Sequence, residues 1–195
     1  MGRRSDHSRA ELREIFIAEG HRQMRETGYA GFSAREVAKR VGYSIGTVYN
    51  VFGSYDQFIL AINGRTLELW RHMLEARIAK TKENCLRTGV RAYFDFALEN
   101  RHAWTALYDF RLPEDVEAPE YYQQQVRAIM DVIIQILLDT LPPHRASLAP
   151  EMAPSLLALV HGHCFFTLNG TFDILGENDA LARCIEQVET LIEVG

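Results

Sequence analysis

Ser44, Thr47, Tyr49 and Asn50 gather three hydroxyls and an amide into one short stretch, around a backbone left bare at Gly46. Such side chains suit close approach to a duplex, where they reach base edges and phosphate oxygens. With Ile45 and Gly46 between them they form one candidate DNA-contacting set. Arg35 and Lys39, just upstream, add cations expected nearer the phosphate backbone.

Two other patterns could carry chemistry. Glu99-Asn-Arg-His102 has the Glu-x-x-His spacing of di-iron helix bundles, but those sites need two such motifs and two further glutamates, and the sequence offers one. His161 and Cys164 lie one helical turn apart, with no second pair to complete a metal site. The expectation is therefore no catalytic residue, no metal and no cofactor. Cys85, Cys164 and Cys184 show no CxxC spacing and are expected as small buried hydrophobes in a reducing cytosol.

The elements that position the candidate set are legible around it. Ser33 and Glu36 form a capping-box pattern, so a helix is expected from Ala34. Val37, Ala38 and Val41 make its buried face, and Gly42 closes it. Ser44 caps a second short helix, with apolar Ile45, Val48 and Val51. Ala38 and Gly42 are expected to supply the small residues where the two backbones meet. A capped pair of this kind is a helix-turn-helix, whose second helix enters a major groove. Residues 8–27 read as a bracing helix with Leu12, Ile15, Phe16 and Met24 inward and Gly28 at its end. Arg3, Arg4, Arg9 and Arg13 concentrate at the start, as a basic arm would. Net charge is −5, yet residues 1–64 carry nine Lys/Arg against seven Asp/Glu and residues 65–195 twelve against nineteen. The positive end is where phosphate must be met.

At this point the sequence resembles a known family. Thr27-Gly28-Tyr29, Phe32-Ser33, Arg35-Glu36-Val37-Ala38, Gly42-Tyr43-Ser44, Gly46-Thr47-Val48-Tyr49 and Phe52 are similar to the N-terminal signature of the tetracycline-repressor (TetR) family. The resemblance covers residues 12–62. It implies an all-α homodimeric transcriptional regulator with a variable ligand-binding domain. The chain departs from the usual pattern in having Asn50-Val51 for Tyr-His, and Tyr55 where a lysine often stands. Tyr55 and Asn50 keep the ability to donate hydrogen bonds to phosphate.

Beyond Gly53, Ser54 and Gln57 repeat the capping pattern and open a long connecting helix to about residue 80, with Gly64 as a possible hinge. Stripes follow at Val90, Tyr93, Phe94, Ala97 and Leu98, and at Trp104, Leu107 and Tyr108, the latter ended by Pro113. A long helix from Tyr122 to Leu141 stops at Pro142-Pro143. Residues 152–172 lack Asp, Glu, Lys and Arg, but Pro154, Ser155, His161, His163 and Asn169 make them too costly for a lipid-facing span. A helix over 154–172, apolar on nearly every side, and a seam at Leu181, Cys184, Ile185, Val188, Leu191 and Ile192 are assigned to a homodimer interface over about 154–194.

The expected whole is all-α: a three-helix helix-turn-helix domain over 1–53, then a larger helical ligand-binding and dimerisation domain over 54–195. Expected partners are double-stranded operator DNA, a second copy and an unidentified small-molecule effector, with no membrane. Candidate effector contacts are Trp70, Phe94, Trp104, Tyr108, Phe110, Met130, His161 and Phe165. The sequence starts with polar residues and no secretory leader pattern, so a cytoplasmic location is expected. A helical sensor or carrier, or a metal-dependent helical enzyme, without sequence-specific DNA binding is the competing class.

Overall fold

The computed structural model describes residues 7–81, 84–114 and 116–194, and every regular element among them is helical. The chain forms α1 (Arg9–Thr27), α2 (Ala34–Val41), α3 (Ile45–Phe52), α4 (Tyr55–Lys80), α5 (Cys85–Glu99), α6 (Arg101–Asp109), α7 (Glu120–Thr140), a 3-10 turn (Pro143–Leu148), α8 (Ala149–Leu168), α9 (Thr171–Leu175) and α10 (Ala180–Val194). Two compact units result: Met1–Leu67 with Asn100–Gln123, and Glu68–Glu99 with Gln124–Gly195. The division falls inside α4 rather than after Gly53, and it assigns α6 and the first turn of α7 to the first unit.

In the first unit α1 packs on α2, α3 and α6. Its core is aromatic. Phe58 is fully buried and meets Phe52 at 4.6 Å, Phe32 at 5.9 Å and Phe16 at 6.5 Å between ring centres. Met24, Val37, Val48 and Ile62 fill the space around these rings. The close crossing of helices lies at Gly20, where a Cβ would come within 2.6 Å of Ile62 Cδ1. Ala38 is buried as expected, but nothing lies within 4 Å of a Cβ at Gly42, so Gly42 does not serve as the spacer.

In the second unit α10 packs on α5 and α8, and α5 on α8. Val90, Tyr93, Phe94 and Ala97 are buried, whereas Leu98, expected in the same stripe, is 51% exposed at the end of α5. α8 starts earlier than expected, at Ala149, and stops at Leu168 before the αL residue Gly170. Its buried stripe is Ala153, Leu156, Val160, Cys164 and Leu168, one residue per turn. Arg145 is buried and donates to the Ile192 carbonyl, and Arg87 is paired with Glu189 at 2.7 Å across α5 and α10. Burial pushes the Cys164 and Cys184 thiols up to about 12, which leaves them as apolar filler.

α4 runs unbroken through Gly64. No helix of the described residues is long and apolar enough to cross a membrane.

His21, on α1, gives the first unit an acid sensitivity. Burial, aided by Arg25 and Arg65, pushes its imidazole from an ordinary 6.5 down to about 4. The folded chain therefore keeps His21 neutral where the unfolded chain takes up a proton. Stability from this group is intact above pH 6.5 and declines as pH falls toward 4, by roughly 3 kcal/mol. In urea titrations at stepped pH, the gap between wild type and His21→Gln is expected to shrink across that window; a gap constant from pH 7 to pH 4 contradicts the assignment.

Candidate functional site

α2 and α3 have eight residues each, too few to persist alone in water, so caps and packing must hold them. The Ser33 hydroxyl accepts from the Glu36 backbone N–H at 3.3 Å, which is half of the expected capping box. The other half does not form. Gln23, from α1, already takes the Ser33 backbone N–H at 2.8 Å, and the Glu36 carboxylate turns to Arg40 at 3.8 Å. The complete capping box lies instead at Ser8 and Glu11, opening α1.

Gly42 closes α2 with φ +85°, and the Tyr43 N–H returns to the Ala38 carbonyl at 2.9 Å. This is the left-handed turn that reverses the chain between the two helices. Ser44 then caps α3, its hydroxyl accepting from the Thr47 N–H at 3.3 Å and lying 3.1 Å from the Thr47 hydroxyl. Val48 is fully buried and fixes which side of α3 faces inward. Ser44, Gly46 and Asn50 are consequently exposed, Tyr49 is 42% exposed, and Ile45 and Thr47 are half-buried. Arg35 and Lys39 are exposed on α2. Gly46 is not demanded by packing, since a Cβ there would meet only the Ser44 hydroxyl, at 3.5 Å.

Tyr55 is drawn into the fold. It is half-buried with its ring 6.4 Å from that of Phe32, and burial pushes its phenol up to about 12.

The expected arginine arm divides. Arg3 and Arg4 lie outside the described residues. Arg9 donates to the carbonyls of Asn50 and Val51 at 3.3 and 3.2 Å, placing a cation at the negative end of α3. Arg13 lies over the ring of Phe52 at 5.7 Å and that of Tyr121, in the first turn of α7, at 5.5 Å. Both arginines hold α3 from behind, a role their sequence positions did not suggest.

The candidate effector residues separate as well. Trp104 and Phe110 are buried in the first unit, and Tyr108 is 41% exposed there. Trp70, Phe94, Met130, His161 and Phe165 belong to the second unit. That unit holds an apolar cavity of about 40 Å³ between α4, α5, α7 and α8, walled by Trp70, Val90, Tyr93, Ile136, Leu156 and Val160 among others. His161 borders it through a 2.8 Å hydrogen bond to the Tyr93 hydroxyl, and burial lowers its imidazole.

Glu99 and His102 do not share a helix face. Asn100, at φ −121° and ψ 32°, separates α5 from α6 between them, and His102 contacts the Arg25 carbonyl at 3.1 Å. Among the described residues no group of three or more His, Cys, Asp and Glu side chains is placed to hold a metal.

A capped, left-handed turn with a short second helix buried on one side and polar on the other defines a helix-turn-helix protein. Comparison with known proteins makes this specific. Residues 16–62 match "Bacterial regulatory proteins, tetR family", and residues 86–188 match "Tetracyclin repressor-like, C-terminal domain". The second match alone spans more than half of the chain, and the chain belongs to the TetR family. It is thereby a DNA-binding transcriptional regulator and not an enzyme. No curated protein matches the sequence. Solved structures share the fold at low identity. A protein of unknown function from Rhodococcus sp. RHA1 is 18% identical with a TM-score of 0.72, covering 96% of this chain and 97% of that one. The multidrug binding protein EbrR, complexed with imidazole, is 18% identical with a TM-score of 0.66 over 97% and 98%. The reduced form of Escherichia coli NemR is 19% identical with a TM-score of 0.59 over 91% and 95%.

Because Gly42 has space around it but a left-handed backbone, Gly42→Ala isolates the cost of that conformation. An increase in unfolding tendency of about 1–2 kcal/mol is expected, with an unchanged urea m-value. No loss on substitution contradicts the turn described.

Proposed function

We propose that this chain is a ligand-responsive repressor whose operator affinity falls when a small apolar or aromatic molecule binds its C-terminal domain. The observation that carries the DNA half is Gly46, a glycine on the exposed side of α3 that packing does not require. A bare backbone flanked by the Ser44 and Thr47 hydroxyls, Tyr49 and the Asn50 amide suits a groove floor, with Ile45 beside them. Arg35 and Lys39 on α2 are positioned for phosphates, and the Tyr55 hydroxyl is at most a peripheral contact, given its packing. Residues 1–53 would grip DNA and residues 54–195 would sense and dimerise, in the cytoplasm.

Dimerisation through about residues 154–194 is supported by the apolar surface left uncovered there. Phe165 is 41% exposed and Ile174, on α9, 87%. Phe166, Leu175 and Leu191 are exposed too. Members of the family usually dimerise. Two recognition helices must reach successive major grooves about 34–36 Å apart. A ligand that prefers dimers with another separation draws the population away from DNA, and linkage requires DNA to weaken the ligand by the same factor.

Duplexes selected by the protein from a random pool are expected to converge on a two-fold symmetric site with half-sites about one helical turn apart. Gly46→Ala should weaken binding to that site about tenfold while raising stability by about 0.5–1 kcal/mol, as alanine does in a helix. Phe165→Glu should give a folded monomer that no longer binds. Failure to select a symmetric site, or full affinity in Gly46→Ala, overturns the DNA half; a dimeric Phe165→Glu overturns the interface.

A further inference from the structure

We infer that the cavity of the second unit takes an uncharged, hydrocarbon-like molecule and rejects cationic and anionic molecules of the same shape. This rests on the ligand-responsive function proposed above and names the chemical class of its effector.

No residue lining the cavity carries a charge. Trp70 and Tyr93 meet edge to face at 5.3 Å on its wall, and aliphatic side chains from α5, α7 and α8 complete it. The lining residues with polar side-chain atoms are Tyr93, whose hydroxyl is already engaged by His161 Nδ1 at 2.8 Å, and Trp70, whose indole N–H is buried and can only donate. A charged group entering here would lose its hydration and find no counter-ion on the walls. An uncharged polar substituent would lose hydrogen bonds with water unless it competed for the Tyr93 and His161 pair. A hydrocarbon face loses nothing and gains contact with the aromatic wall.

The same walls limit how an occupant enters. At about 40 Å³ the cavity has room for only a few water-sized spheres, each needing about 10–15 Å³, which is less than an aromatic ring fills. A ring enters by pushing side chains apart. Gly89 is part of this wall, and a Cβ there would lie 3.4 Å from Ile136 Cδ1. Any side chain larger than methyl at 89 therefore projects into the space a ring must take. The helices that would be wedged include α4 and α7, whose first turns belong to the first unit. That continuity gives an uncharged ligand a covalent route to the DNA-contacting half without requiring any ion pair.

The test uses four probes with one ring in common: toluene, benzyl alcohol, benzylammonium and benzoate, titrated into the full-length protein by calorimetry and thermal shift. Toluene is expected to bind saturably and raise Tm, benzyl alcohol to bind more weakly, and the two ions to bind at least about a hundredfold more weakly than toluene. Gly89→Leu should remove toluene binding. Leu157→Phe, at a half-buried lining position, should do the same if the first variant does not fold. Either ion binding within tenfold of toluene, the absence of toluene binding, or undiminished binding in both folded variants overturns the inference. Release of selected operator DNA is measured in parallel. Toluene binding without release leaves this inference standing and overturns the proposed release mechanism; release by a bound ion does the reverse.

Discussion

Everything in the DNA-contacting half depends on one constraint: α3 is too short to exist unless the rest of its unit holds it. Val48 is buried against the core, Phe52 closes onto Phe58, and Arg9 and Arg13 occupy the C-terminal end. With the inner side and the far end committed, the only part of the helix left to meet a partner is its first turn and polar flank. That is why the same eight residues can be both rigid and available. The ion pairs on the surface, such as Arg22 with Glu19 and Glu26, add little by comparison because both partners stay in water.

The second unit obeys a different economy. What distinguishes it is an apolar cavity inside and large apolar side chains left at its surface. α8 divides these roles by face. Leu156, Val160 and Cys164 point into the unit, while Phe165 and Phe166 are left at the surface. A helix apolar on both sides is stable in isolation from lipid only when something covers each of them, which is the physical case for a second subunit.

Much of the local structure was legible in the sequence because its causes are local. Ser33, Ser44 and Ser54 each cap where a serine before a helical pattern should, and Gly42 ends α2 where a left-handed residue was expected. What the sequence did not disclose involves partners far along the chain. Gln23 displaces Glu36 from its capping role across ten residues, and Gly20 is the tight crossing through contact with Ile62. Arg9 and Arg13 read as a basic arm because a guanidinium stacked on Phe52 has the same sequence signature as one seeking phosphate. Trp104 and Phe110 read as effector contacts because aromatic density does not say which of two units a ring packs in. The Glu-x-x-His spacing failed for a backbone reason, the break at Asn100, which propensity does not foretell.

The central claim is that the exposed flank of α3, with Ser44, Tyr49 and Asn50, is the surface that meets DNA. A photo-crosslinking side chain in place of Tyr49, irradiated with the selected duplex, tests it most directly. The account predicts adducts to major-groove bases in both half-sites, and none from the same probe at Leu191. Adducts from position 191 with none from position 49 would contradict it.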